Sequence, residues 1–170
     1  MELMLIKDRD IFDIESVVAE FGQLILRYCH ALLCDYHEAQ DAVQLVFIKA
    51  NAKQLRFAAN TNLSAWLYKI AYNTCMDILR KRKRRERLLE EAGNQRQEAR
   101  NGGMSPWLER ALAQLTPKER ALVFNRVVDE MGYDELAKIY GAKPAALRKR
   151  YERAKKKLAQ LLTEGRKGDE

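Results

Sequence analysis

The chain has 170 residues, with 31 Lys and Arg against 24 Asp and Glu, a formal charge of +7, three prolines and eight glycines. That length holds one ordinary domain or two small ones, and the abundance of Leu, Ala, Glu, Lys and Arg without a period-two Val, Ile and Thr run predicts an all-α fold. No apolar run is long enough to span a bilayer, the N-terminus lacks a signal-peptide pattern and three scattered cysteines form no disulfide framework, so a cytoplasmic protein without membrane insertion is expected.

The first helix is expected to start near Asp13 and end around Cys34-Asp35, with Ile14, Val17, Val18, Phe21, Leu24, Ile25, Tyr28 and Leu32 on one face. A second, roughly Glu38 to Ala52, repeats the pattern through Ala42, Val43, Val46, Phe47 and Ala50. A polar loop, Ala58 to Asn62, leads into a third helix with Asn62 or Ser64 as its N-cap. There Leu67, Ile70, Ala71, Cys75 and Ile78 form an apolar stripe, while Lys69, Tyr72, Asn73, Met76 and Arg80 face the other way. The helix then enters six consecutive basic residues, Arg80 to Arg85. One side anchored in protein and the other offering cations, amide and aromatic rings suits a nucleic-acid strand. These three helices make a first domain over residues 10–86.

From Arg87 to Ser105 the apolar period fades and Asn101-Gly102-Gly103 breaks any helix, so residues 87–105 read as a flexible linker. Ser105-Pro106 then supplies a cap with Pro at the first helical position, and Thr116-Pro117-Lys118-Glu119 is a capping box of the same kind. The second small helical domain, residues 106–163, closes with helices at Tyr133–Tyr140 and Pro144–Leu162, joined through Gly141 as a helix-turn-helix. In the last helix Leu147, Tyr151, Ala154, Leu158, Leu161 and Leu162 fall on one side, and Arg148, Lys149, Glu152, Arg153 and Lys156 on the other. A recognition helix needs this division, a buried seam to fix its angle and long donors for phosphates and base edges. The charge agrees: 7 basic against 10 acidic residues over 1–79, 9 against 4 over 80–105, and 15 against 10 over 106–170. An acidic first part suits a protein partner, and a basic remainder suits a polyanion.

Other chemistries read weakly. Cys29, His30, Cys34 and His37 lie within nine residues, but they form no CxxC pair, and a helix end near Asp35 would separate His37. No nucleophile–histidine arrangement or phosphate-binding glycine loop is present, so no catalytic residue, metal or cofactor is expected. Trp66 and Tyr68 stay open between stacking on a base and packing in the core.

Read together, the halves resemble a bacterial RNA polymerase sigma factor of the sigma-70 family, extracytoplasmic-function (ECF) group. The resemblance is carried by Ala39-Gln40-Asp41-Ala42-Val43-Gln44-Leu45-Val46-Phe47, Arg56-Phe57, Trp66 to Asn73, Asp77 and Arg80. In the second half it is carried by Leu115 to Arg120, Gly132 to Ala137, Leu147 to Arg150 and Arg153-Ala154. It implies two helical domains, sigma region 2 and region 4, and an initiation factor that binds core RNA polymerase at the clamp helices and flap, and promoter DNA. Core-polymerase contacts would come from Asp41, Gln44, Leu45 and Phe47, with Leu45 standing where the family usually carries an acid. The −10 element would be melted and held by Asn60, Asn62, Lys69, Asn73, Arg80 and Arg82, and the −35 duplex read by Lys143, Arg148, Lys149, Glu152, Arg153 and Lys156. The resemblance also admits an anti-sigma factor as a partner. Two alternatives are a helix-turn-helix regulator acting on duplex operators without polymerase, and a helical metal-sensing or adaptor protein with incidental basic faces.

Overall fold

Asp13 starts the first helix: its carboxylate accepts hydrogen bonds from the Glu15 and Ser16 amides, and α1 runs Ile14–Leu33. The computed structural model describes residues 12–57, 62–93 and 103–168. Cys34 ends α1 in the left-handed region (φ 50°), its N–H returning to the His30 carbonyl at 2.8 Å. Asp35 caps α2 (Tyr36–Lys53), which passes into a short 3-10 turn at Gln54–Arg56. Asn62 caps α3 (Leu63–Glu91), its Oδ1 accepting from the Ser64 and Ala65 amides at 2.9 and 3.4 Å. Ser105 caps α4 (Pro106–Ala113), and the Thr116–Glu119 box opens α5 (Pro117–Val127). Then follow α6 (Tyr133–Tyr140) and α7 (Pro144–Gly168), and no strand occurs among the described residues. The expected all-α architecture is what forms.

Two boundaries differ from expectation. α3 continues through residues 87–91, which the fading apolar period had assigned to the linker. Arg87-Leu88-Leu89-Glu90-Glu91 are good helix formers, so the helix extends into solvent with no buried face to leave a periodic signature. α7 likewise runs past Leu162, with α4 packed along it. The rest of the expected linker over 94–102, and most of the polar loop at 58–61, lie outside the described residues.

The first module packs Ile25, Tyr28, Leu32 and Leu33 of α1 against Ala42, Val46 and Ala50 of α2 and Leu67, Tyr68, Ala71 and Cys75 of α3, all fully buried. Burying each large apolar side chain contributes about 1.5–3 kcal/mol before chain entropy is counted. The second packs α5, α6 and α7 around Leu122, Leu136, Leu147 and Ala154.

The two modules are pressed together, α1 against α5 and α3 against α6. Phe124 meets the Tyr28 ring edge-on at 5.4 Å, and Tyr72 meets Tyr140 at 4.9 Å. Arg120 of α5 is buried in the seam, with Nε and Nη2 donating to the Leu32 carbonyl at 3.0 and 2.6 Å. Its Nη1 donates to the Leu112 and Leu115 carbonyls of its own module at 3.2 and 2.6 Å. Beside it runs a directed polar chain. Tyr140 donates to Asn125 Oδ1, so the 2.9 Å contact between the Tyr28 and Tyr140 hydroxyls has Tyr28 as donor. Asn125 Nδ2 in turn donates to Asp129 at 3.0 Å. A carboxylate only accepts, so Asp129 fixes the sense of the chain. Burial raises the Tyr28 and Tyr140 phenols far above their usual range, so both stay protonated donors.

Candidate promoter and polymerase interfaces

The helix-turn-helix is built as its sequence demands. Gly141 takes the left-handed conformation (φ 63°) that closes α6, its N–H bonding the Ala137 carbonyl at 2.9 Å. Leu147, Tyr151 and Ala154 form the buried seam of α7 and fix its roll. Lys143, Arg148, Lys149, Glu152, Arg153 and Lys156 are all exposed, the first at the turn and the rest on the outer face of α7. Five cations against one acid on an outward surface form a patch suited to a duplex.

The α3 face is more divided. Lys69, Asn73 and Arg80 are exposed, as expected of strand contacts, with Arg80 paired to Asp77. Asn62 is exposed, but its carbonyl oxygen is engaged as the helix cap; Asn60 lies outside the described residues. Arg82 needs correction as an outward contact. Its guanidinium turns onto Glu38, through Nε at 3.0 Å and through Nη2, and Nη2 also donates to the Leu33 carbonyl at 2.8 Å. The end of α1 attracts it, since terminal carbonyls lack helical partners and carry the negative end of the dipole. Arg85 reaches the same Glu38 at 3.5 Å, while Lys81, Lys83 and Arg84 of the run are exposed.

Aromatic residues also sort out. Tyr68 is fully buried with its ring 4.8 Å from Tyr28, which excludes stacking on a base; burial, then the nearby Asp129, keep its phenol protonated. Trp66 is half-buried between Phe12 and Phe57, at 5.9 and 5.4 Å. Tyr72, read as outward, is half-buried under Tyr140. An open groove of about 640 Å³ runs along this face, with Asn73, Met76, Arg80 and Lys83 on one wall and Pro117 and Lys118 on the other.

On α2, Asp41, Gln44 and Leu45 are exposed, whereas Phe47 is buried. Phe47 shares the inward stripe with Val46 and Ala50 in the core with α1 and α3, so it supports the helix and offers little surface to a partner. The outward residue that sequence reading missed is Ile48, 65% exposed, with Leu45 at 42%. Its signal was positional: Asp41, Gln44, Leu45 and Ile48 share one helical face by their spacing of three and four.

Among the described residues no group of three or more His, Cys, Asp and Glu is placed to hold a metal, and no helix is long and apolar enough to cross a membrane. Cys29 is buried, and the left-handed turn at Cys34 puts His37 on another helix.

Residues 17–85 match the family described as Sigma-70 region 2, and residues 105–158 match Sigma-70, region 4. The chain is a sigma-70 family factor of the ECF group. It is 27% identical over 186 residues to the ECF RNA polymerase sigma factor SigW of Bacillus subtilis, covering 95% of this chain and 98% of that one. RNA polymerase sigma factor YlaC of the same organism is 25% identical, covering 94% and 96%. Among solved structures it is similar to the sigma factor RpoE in complex with the anti-sigma factor NepR from Bartonella quintana (TM-score 0.75, 25% identity, 88% of this chain and 96% of that one). CnrH in complex with the cytosolic domain of CnrY shares the fold (TM-score 0.66, 22% identity, 88% and 87% covered). As an ECF sigma factor, the chain binds core RNA polymerase and promoter DNA and directs transcription initiation; a regulator working without polymerase is not favoured.

Proposed function

We propose that this sigma factor divides its work by surface. The outer face of α2, with Asp41, Gln44, Leu45 and Ile48, docks on the clamp helices of core polymerase. The exposed residues of α3, Lys69, Asn73 and Arg80, hold the unstacked −10 strand, and the basic run beyond them grips the backbone by charge. The exposed face of α7 reads the −35 duplex. The observation that carries this reading is the α7 surface, where a buried Leu147–Tyr151–Ala154 seam sets an outward cationic face at helix-turn-helix geometry. Engaging both elements at once requires the modules to part. Positions −35 and −10 lie about 25 base pairs, hence about 85 Å, apart along a duplex, while Arg120 and Leu32 hold the modules within hydrogen-bond distance. An anti-sigma partner is proposed by analogy with the two solved complexes, acting on the packed form. Run-off transcription with sigma-free core enzyme on a promoter library tests the whole reading. Start sites sharing two spaced motifs are the expected result, and no start-site selection would overturn it.

A further inference from the structure

The N-terminus of α6 carries an aromatic–cation stack that the division of labour above does not use. Tyr133, half-buried at the first position of α6, has two guanidinium groups over its ring, Arg126 at 4.6 Å and Arg148 at 5.2 Å from the centroid. Tyr151 stands edge-on to Tyr133 at 6.4 Å and also lies under Arg126, at 5.4 Å. Each part is held from elsewhere. Arg126 is locked by donating from Nη1 to the Met131 carbonyl at 2.6 Å. The backbone before Tyr133 is fixed by the Gly132 amide donating to Glu135 at 3.2 Å. Tyr151 is set by the buried seam of α7. Arg148, by contrast, is exposed and on the outer face of the recognition helix.

A free arginine there would sample many rotamers and lose that freedom on meeting DNA. Lying over a ring restricts it beforehand, and the restriction leaves its chemistry intact. Stacking uses the face of the guanidinium, whereas its five N–H donors lie in the plane and stay available for a bidentate contact with guanine O6 and N7. We propose that Tyr133 is a positioning residue for −35 reading, its ring holding the Arg148 guanidinium ready for a base edge. This rests on the reading of Arg148 as a base contact.

The test uses the full chain assembled with core polymerase, on a promoter library randomised across the −35 segment, with transcripts sequenced. Arg148→Ala defines the one or two positions that Arg148 reads. Tyr133→Leu is expected to weaken base preference at those same positions by about two- to fivefold, the worth of an exposed cation–π contact. Tyr133→Phe keeps the ring face and is expected to retain the preference. Preference at the remaining positions serves as the internal check on folding. Tyr133→Leu leaving the Arg148 positions intact, blurring all positions equally, or being matched by Tyr133→Phe would each overturn the proposal. If Arg148→Ala itself changes no position, the base-contact reading fails and the proposal with it, an outcome distinct from failure of Tyr133 alone.

Discussion

Arg120 and Leu32, 88 residues apart, are joined by two hydrogen bonds, from Nε and Nη2 of the guanidinium to one carbonyl oxygen at the end of α1. The oxygen is one that helix geometry leaves without a backbone partner. The same side chain also gathers the Leu112 and Leu115 carbonyls, so one buried cation ties the end of α1 to the turn between α4 and α5. Burial weighs against its charge and lowers its affinity for the proton, and the carbonyl bonds offset that cost. Arg120→Met is expected to lose about 2–4 kcal/mol of stability by leaving buried acceptors unpaired. Arg120→Lys should rescue little, because one ammonium cannot span three carbonyls. Urea denaturation measures both, and a loss under about 1 kcal/mol for the Met variant would show that water replaces the guanidinium.

The polar chain from Tyr28 to Asp129 makes a finer handle on the same seam. Tyr140→Phe keeps the ring against Tyr72 but removes the hydroxyl between Tyr28 and Asn125, leaving a buried donor and a buried acceptor without partners. Of the two lost bonds only the one to Tyr28 crosses the modules, so its share of a total cost of about 1–3 kcal/mol falls on the packed arrangement. The population of parted modules should therefore rise. Small-angle X-ray scattering would read it as a larger radius of gyration, while each module's helix content holds steady. An unchanged radius would mean that the chain adds nothing to closure.

What the sequence made legible, and what it hid, follows from the range of the interactions. Asn62, Ser105 and the Thr116–Glu119 box act within three residues, so helix starts could be read directly, and α6 emerged with its expected bounds. The division of α7 into seam and cationic face was legible because α4, α5 and α6 together leave its Arg148, Lys149, Glu152, Arg153 and Lys156 side exposed. α3 was harder because it packs against α1 and α2 on one side and α6 on another. Tyr68 and Tyr72 therefore lie buried or half-buried outside a stripe that assumes one partner. Phe47 fell on the apolar stripe of α2 by its spacing, where it is buried, and only the resemblance set it at the polymerase contact. The roles of Arg82 and Arg120 depend on carbonyls of α1 that lie 49 and 88 residues away, which no local pattern encodes.

The pairing of Arg82 and Arg85 with Glu38 changes what the basic run should do in solution. Lys81, Lys83 and Arg84 are exposed along the run, so replacing these three with Gln should weaken binding on all sequences alike. The slope of log affinity against log salt should become shallower by about 2, given roughly 0.7 per phosphate contact on a single strand. Arg82→Gln should act differently, lowering thermal stability through the lost Glu38 and Leu33 contacts with little change in that slope. A changed base preference in the triple variant would contradict its assignment to the backbone.

On α7, Arg153 is exposed one turn beyond Lys149, on the face that Arg148 shares. If it makes a bidentate base contact, Arg153→Ala should cost about 1–3 kcal/mol on a selected promoter and much less on mismatched sequence. Fluorescence anisotropy with the assembled polymerase on both duplexes gives the two numbers. Equal losses on both would reduce Arg153 to a phosphate contact.

His30 supplies the pH dependence. It is buried in the last turn of α1, its Nε2 has no hydrogen-bond partner among the described residues, and its ring meets Tyr36 edge-on at 5.5 Å. Burial lowers its proton affinity below the ordinary value of 6.5, opposed in part by Asp35. The unfolded chain then binds more protons than the folded one between the lowered value and 6.5, so folding stability is complete above that window and declines as pH falls through it. Below the folded value the His30 contribution levels off. His30→Gln cannot titrate, and its stability should fall less than that of the parent between about pH 7.5 and 5.5, where an unperturbed imidazole takes up its proton. Parallel urea titrations across that range compare the two slopes, and identical slopes would remove His30 as the source.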